Sequence, residues 1–160
     1  MKANCAPEPW LDSAQVIDYL HASSGVELTP AELLKLFDPE HHVAYLDCSF
    51  ASARPPRQQM FARRIKGSGH GELLQLDKLR LCASGASGQP VLSAGGEVVV
   101  LGSAWVYSKA GGPPTLEEGI WQIDLGGLYR PLQFKPADVE HLAARISESQ
   151  RNHLVRRAAH

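Results

Sequence analysis

Cysteine, long apolar runs and net charge are all scarce in this 160-residue chain. The three cysteines, Cys5, Cys48 and Cys82, form an odd and widely spaced set, which argues against a disulfide framework and is typical of reduced thiols. No stretch approaches the roughly 20 apolar residues that a helix needs to cross a bilayer. The formal net charge of −1 gives no general attraction to nucleic acid or to a membrane surface. The first residues lack the basic segment and apolar run of a signal peptide, so we expect a cytoplasmic protein without a membrane partner.

Metal-ligand spacing is also missing, although the chain has seven histidines. Neither a C-x-x-C nor an H-x-x-x-H motif occurs, and His41 and His42 are neighbours that cannot share one helical face. A zinc site would have to combine residues from distant segments, such as His42, Cys48, His70 and Cys82. We therefore expect no metal and no cofactor.

A cysteine nucleophile is the enzymatic arrangement that can be assembled from these residue types. Cys48 would attack the substrate, and His41, His42 or His70 would act as its base. Cys48 falls on the apolar side of a predicted strand, where a thiol normally packs and does not react. We therefore favour a protein without catalytic residues.

Two helix starts share one capping pattern near the beginning of the chain. Asp12 is followed by Gln15 three residues later, and Thr29 is followed by Glu32 at the same spacing. In such a capping box, each side chain accepts a hydrogen bond from the backbone N–H of the other residue. Gly25 suits the end of the first helix. The pattern predicts a pair of short helices.

Strand patterns follow this helical pair. Residues 43–50 alternate, which places Ala44, Leu46, Cys48 and Phe50 on one buried face. The next segment, 51–71, is expected to be a basic linker with a short helix at 58–65 and a flexible turn at 67–71.

The second half of the chain is richer in strand signals. Residues 98–107 form the most β-like run and predict a central strand. Residues 115–118 indicate a capping box or a turn, and the stretches 120–125 and 128–134 around a Gly-Gly pair predict a hairpin. Pro136 begins a C-terminal helix.

These elements define an α+β fold: an N-terminal helix pair plus a strand, a mostly antiparallel sheet of about four or five strands, and a C-terminal helix. We divide the chain into residues 10–50, which hold the helical pair with its strand, residues 51–71, the basic linker, and residues 72–160, the sheet with the last helix. Together they are expected to form one compact unit.

The helical pair also carries a resemblance. Val16, Tyr19, Leu20, Gly25 and the run 28–34, followed by a strand, resemble the opening of excisionase-like and MerR-like winged helix-turn-helix modules and of uncharacterised bacterial proteins of prophage type. The resemblance implies a DNA-binding regulator whose second helix enters the major groove. That helix exposes one base against two acids, whereas a recognition helix needs cations for phosphates. The four exposed positions are Ala31, Glu32, Lys35 and Asp38.

Cations are concentrated in one segment of the chain. Residues 1–47 carry eight acids and two bases, whereas residues 48–71 contain no acid. We predict that this segment faces a partner, because exposed guanidinium and ammonium groups suit carboxylates or phosphates. The predicted partner-binding residues are Arg54, Arg57, Arg63, Arg64 and Lys66. A secondary partner-binding stretch near the C-terminus comprises Arg145, Arg151, Arg156 and Arg157.

The function that we favour is non-catalytic recognition of a macromolecule, with another protein preferred as the partner. Such a chain would be a small regulator, adaptor or inhibitor from a mobile element or phage. The alternative is a DNA- or RNA-binding regulator of the winged-helix type. Strand aromatics beside the basic segments would then supply a stacking platform for bases, and the candidates are Trp105, Tyr107, Trp121 and Tyr129. The sequence leaves the oligomeric state open.

Overall fold

The structure is a computed structural model, and the chain divides into two compact units, residues 1–43 with 134–160 and residues 44–133. The fold is α+β, as predicted. The expected boundaries near residues 50 and 71 fall inside the second unit, and the C-terminal helix groups with the helical pair. The residues that the structure describes are 10–36, 44–56, 64–76, 80–84, 91–108 and 110–158.

The first unit contains three helices in its described part, α1 (Ser13–Ser24), α2 (Pro30–Lys35) and α3 (Pro136–Ala158). Both predicted capping boxes are present. Asp12 Oδ1 accepts a hydrogen bond from Gln15 N–H at 2.8 Å, and Thr29 Oγ1 accepts one from Glu32 N–H at 3.2 Å. Gly25 ends α1 in the left-handed conformation, with a φ of 75° that glycine adopts without strain.

Helix α1 packs against both α2 and α3 within this unit. Two backbone hydrogen bonds join the entry of α1 to the entry of α3, from Leu11 N–H to the Phe134 carbonyl at 3.0 Å and from Phe134 N–H to the Leu11 carbonyl at 2.8 Å. The apolar face of each helix is buried, because that is where the stripe of large side chains lies. The buried residues are Val16, Ile17, Leu20, Leu33, Phe134, Val139, Leu142 and Ala143.

The second unit is an antiparallel β structure with two sheets. The strands in its described part are β1 (Tyr45–Asp47), β2 (Ser52–Arg54), β3 (Arg64–Leu74), β4 (Arg80–Ser84), β5 (Val91–Gly95), β6 (Glu97–Tyr107), β7 (Thr115–Asp124) and β8 (Arg130–Pro131). The larger sheet has the order β1-β3-β2-β7-β6, and β6 also pairs with β3. The pairings of β3 with β2, β2 with β7, β7 with β6 and β6 with β3 therefore form a closed ring of four strands. Strands β4, β5 and β8 form the smaller sheet.

Strand β6 is central, as the sequence predicted, with β3 along one edge and β7 along the other. The prediction of a short helix at 58–65 is wrong for its last two residues, because Arg64 and Ile65 begin β3. Residues 58–63 of that prediction lie outside the described residues. The flexible turn expected at 67–71 is also wrong. These residues form the middle of β3, where Gly67 lets the Cys48 backbone approach closely and Gly71 lies against the Val100 side chain.

Phe50 departs from the face assigned to it. The pairing of β3 shifts by one residue between Asp47↔His70 and Ser52↔Lys66, which is a bulge in the segment that joins β1 to β2. Phe50 takes a φ of 65° in this bulge and is 85% exposed. Ala44, Leu46 and Cys48 are buried as predicted, because they precede the bulge.

The predicted hairpin around Gly126 and Gly127 does not form. Strand β7 pairs with β6 instead, and β8 pairs with β5. Leu125 N–H donates to the Gly96 carbonyl at 2.9 Å, which continues the β6–β7 ladder up to the turn. Beyond the turn, Gln133 exchanges backbone hydrogen bonds with Tyr45. After the Gly-Gly turn, the chain therefore pairs with β5 and with Tyr45 and not with β7.

None of the helices in the described residues combines the length and the apolar character that a membrane crossing requires.

Substitution of the second helix cap tests the capping arrangement. Thr29→Ala removes the oxygen that accepts from Glu32 N–H, so we expect the free energy of unfolding to fall by about 0.5–2 kcal/mol. Thr29→Ser keeps a hydroxyl acceptor and should retain most of the stability. Chemical denaturation of the two variants beside the wild type gives the comparison, and equal loss in both would show that the hydroxyl acceptor is not what stabilises the helix start.

A matched pair of strand glycines tests the close approach to β3. A Cβ atom at Gly67 would lie 2.3 Å from the Cys48 carbonyl oxygen, whereas a Cβ atom at Gly119 would meet no atom within 4 Å. Gly67→Ala should therefore cost about 2 kcal/mol or more, because backbone must move. Gly119→Ala should stay within about 0.5 kcal/mol of the wild type. Thermal melts of both variants would contradict this account if their midpoints moved equally.

Candidate functional site

The structure places the described cations of the basic segment on strands and gives each a partner. Arg54 Nη2 lies 3.3 Å from Glu97 Oε1, and Lys66 Nζ donates to Ser52 Oγ at 3.3 Å. The Arg64 guanidinium lies over the Tyr107 ring, 5.5 Å from its centroid. The other two members of the segment, Arg57 and Arg63, lie outside the described residues. Arg64 and Lys66 are therefore presented by a sheet rather than by a mobile linker.

The C-terminal arginines lie on α3. Arg145 and Arg151 are exposed, and a separation of six residues turns them about 120° apart around a helix. They do not form one continuous patch. The helix includes Arg156 and Arg157, whose side chains lie outside the described part of the chain.

A strip of exposed apolar side chains crosses the outer face of the larger sheet. Leu101 pairs across the ladder with Ile120, and Trp105 pairs with Leu116. The exposed fractions are 48% for Leu101, 37% for Trp105, 50% for Leu116 and 50% for Ile120. We call these four residues the apolar strip. Their neighbours on the same strands, Val100, Ala104 and Trp121, point to the opposite face and are buried.

Charged side chains border the apolar strip. On the β3 side, Lys66 pairs with Trp105 and Arg64 pairs with Tyr107. On the β7 side, Glu118 pairs with Ser103 and is exposed. Glu97 and Gln122 lie at the far end of the same face, where Gln122 Nε2 donates to Glu97 Oε1. Lys66 and Glu72 of β3 therefore flank Trp105 and Leu101 on one side of the strip, and Glu118 lies between Leu116 and Ile120 on β7.

Sequence reasoning missed the apolar strip for two reasons. The run 98–107 was predicted to be a continuous apolar strand at the centre of a sheet, but Leu101 and Trp105 alternate with the core residues and face outward. Residues 115–118 were expected to be a capping box or turn, whereas Thr115 begins β7. Recognising 115–124 as a single strand would have shown that Leu116 and Ile120 share one face, because they are separated by an even number of residues.

The proposed stacking platform is only partly assembled. Trp105 and Tyr107 share the outer face with Arg64 and Lys66. Trp121 is buried, and the Tyr129 ring lies against Gly95, where a Cβ atom would meet it at 2.7 Å. Neither of these two aromatics belongs to the platform.

A polar cluster fixes the bulge between β1 and β2. Asp47 Oδ1 accepts hydrogen bonds from the Ser49 N–H at 3.0 Å and the Ser49 hydroxyl at 2.7 Å. Arg130 Nη1 donates to the carbonyl oxygens of Asp47 at 2.7 Å and Ser49 at 3.1 Å. An open cavity of about 600 Å³ lies beside this cluster. Its lining residues are Asp47, Ser49, Phe50, Arg130, Pro131 and Gln133.

The charge state of Asp47 follows from these contacts. Burial raises the pKa of Asp47, but the hydrogen bonds from Ser49 and the nearby charges of His70 and Arg130 outweigh it, so the pKa lies below the ordinary carboxyl value of 3.8. The carboxylate therefore stays ionised at neutral pH, where it accepts a hydrogen bond from the Ser49 hydroxyl. This arrangement stabilises the turn.

Cys48, the candidate nucleophile, is buried, and its pKa is raised to about 11 by that burial. A thiol with this pKa stays protonated at neutral pH and is a poor nucleophile. Within the described parts of the chain, no three His, Cys, Asp or Glu side chains are grouped as a metal ion would require.

No family model matches the chain, and neither a curated protein nor a solved structure matches it.

The pH dependence of stability tests the role of Asp47. Because its folded pKa is depressed, Asp47 stabilises the fold above the ordinary carboxyl pKa, and this contribution is lost as pH falls through the folded pKa. We expect Asp47→Asn to be less stable than the wild type at neutral pH, with a difference that shrinks in acid. Urea denaturation of both proteins across the acidic range measures this difference, and a constant gap at every pH would contradict the assignment.

Proposed function

We propose that this protein recognises another protein, without catalysis, through the apolar strip on the outer face of β6 and β7. The observation that carries the proposal is the presence of two apolar cross-strand pairs on one face, Leu101 with Ile120 and Trp105 with Leu116, whose members are 37–50% exposed. Exposed apolar groups that lie close together among polar residues are characteristic of protein interfaces. A tryptophan in such an area is a frequent source of binding energy.

The charges on this face favour a protein over a nucleic acid. Glu97, Glu118 and Asp124 lie on the same face of the sheet as Arg64 and Lys66. Acids at these positions repel phosphates, whereas a protein partner can complement charges of both signs. A small cytoplasmic regulator, adaptor or inhibitor, of the kind suggested by the resemblance to prophage-type proteins, would use such a surface without an active site.

Binding of single-stranded nucleic acid is the second candidate function. The juxtaposition of Trp105 and Tyr107 with Arg64 and Lys66 supports it, because exposed aromatics beside cations can stack bases and neutralise phosphates. The Arg64 guanidinium covers one face of the Tyr107 ring, which leaves Trp105 as the more accessible stacking surface.

Variants on β6 test the protein-binding proposal. Leu101→Ser with Trp105→Ser removes half of the apolar strip and changes no charge. We expect the immobilised double variant to lose a protein that the wild type retains from nuclease-treated cell extract. Retention by the wild type should persist at about 0.5 M salt, because apolar contacts are weakly screened.

Leu128→Ser is the matched control, since Leu128 is 71% exposed and lies outside the apolar strip. It should retain the same protein as the wild type. Thermal melts must show that the double variant still folds. Equal retention by the double variant and the wild type would contradict the proposal. A nucleic acid retained from untreated extract with a steep salt dependence, and lost on replacing Arg64 and Lys66 with Ala, would instead establish the second candidate.

A further inference from the structure

Strand β7 has one edge that is only partly paired. Along its whole length it pairs with β6, but β2 covers its other edge only at Gln122, Ile123 and Asp124. Among the described residues, no strand pairs with that edge from residue 115 to residue 121. Within the described part of the chain, the backbone donors and acceptors of this segment that point away from β6 therefore have no strand partner, and they lie beside the apolar strip.

The backbone groups on this open edge can be assigned. Leu125 N–H donates to the Gly96 carbonyl, so the backbone of residue 125 points toward β6. Successive residues of a strand direct their backbone groups to opposite edges, and the β6–β7 register is constant from Glu97↔Asp124 to Val106↔Thr115. Leu116, Glu118 and Ile120 therefore present their N–H and carbonyl groups to the open edge.

The side chains at this edge combine apolar and acidic character. Leu116 and Ile120 are half exposed, and Glu117 and Glu118 between them are exposed as well. The sequence from residue 110 to residue 129 contains three acids and no lysine or arginine. An extended segment that paired here would meet apolar groups at two positions and negative charge between them.

A second copy of the chain is a poor occupant for this edge. Antiparallel pairing of two β7 edges around a two-fold axis at the centre of this segment would place Glu118 opposite Glu118 of the other copy. Like charges directly opposite each other across a ladder are destabilising. The same charges would instead attract a lysine or an arginine at that position.

We propose that the open edge of β7, from residue 115 to residue 120, accepts an antiparallel strand from a partner protein. The recognised segment carries a basic residue opposite Glu118 and apolar residues two positions to either side, opposite Leu116 and Ile120. Backbone hydrogen bonds supply affinity, and alternate side chains supply specificity. The inference rests on the proposed function, since Leu116 and Ile120 belong to the apolar strip, and it names the chemistry of the partner.

A synthetic peptide tests the edge directly with the full-length chain. The probe is a fluorescent peptide about seven residues long, with the order Thr-Val-Thr-Lys-Thr-Val-Thr and blocked termini. We expect it to bind the wild type about tenfold or more tightly than the same peptide with Glu in place of Lys. The double variant Glu117→Lys with Glu118→Lys should reverse this preference. Fluorescence anisotropy measures both affinities.

Backbone methylation provides the matched control. N-methylation of the Val and Lys amides removes the N–H donors that face β7, so it should abolish binding. N-methylation of the two inner Thr amides next to Lys changes only the other edge of the peptide, so it should leave binding intact. Absence of binding by the parent peptide, equal binding of the Lys and Glu peptides, or equal loss on both methylations would overturn the proposal. Concentration-dependent dimerisation of the wild type that Glu118→Lys abolishes would also overturn it, in favour of a second copy.

The outcomes for this edge and for the apolar strip are separable. The edge variants change charge on β7, whereas the strip variants change apolar side chains on β6. Loss of the retained protein in the β6 double variant, but not in the β7 double variant, would leave the proposed function standing and remove strand addition. Retention by both double variants would remove both.

Discussion

The close approach of the Cys48 backbone to Gly67 is the constraint that shapes the β unit. Gly67 N–H donates to the Ala51 carbonyl at 2.8 Å, and Phe50 N–H donates to the Gly67 carbonyl at 2.9 Å, so the segment that joins β1 to β2 follows the edge of β3 through a bulge. Only a residue without a Cβ atom fits at position 67. This contact brings β2 to a place where it pairs with both β3 and β7, which returns the ladder on itself.

The short strand β2 completes the ring of pairings but covers only one end of β7. Strand β2 is three residues long and is followed by Pro55 and Pro56, which lack the N–H donors that further pairing needs. Its pairing with β7 therefore stops at Gln122. Among the described residues, no strand pairs with the rest of the β7 edge, and Leu116 and Ile120 of the apolar strip lie on this segment. The same geometry that completes the fold thus leaves the surface from which we infer function.

Local patterns predicted the helices better than they predicted the sheet. The capping boxes at Asp12 and Thr29 were identified correctly because each depends on residues three positions apart. The turn expected at 67–71 failed because glycine permits either a turn or a close approach between strands, and the hairpin expected around Gly126 failed because the strands on either side of that turn pair with other strands. Which of the two occurs depends on partners far along the chain, such as Cys48 for Gly67. The apolar strip was hidden for the same reason, since burial of one strand face is decided by distant elements.

The acidic residues of β7 affect both self-association at the open edge and binding of a partner strand there. An exposed strand with apolar side chains tends to pair with copies of itself, and charges at the edge are a common protection against this. Glu117 and Glu118 occupy the centre of the open segment, where two-fold pairing centred on Glu118 would bring the two copies of that residue together. The same charges lower the cost of binding a basic strand, because the repulsion that opposes self-association becomes attraction toward the opposite sign. These charges therefore disfavour pairing of the edge with a second copy of the chain and still permit pairing with a partner strand of complementary charge.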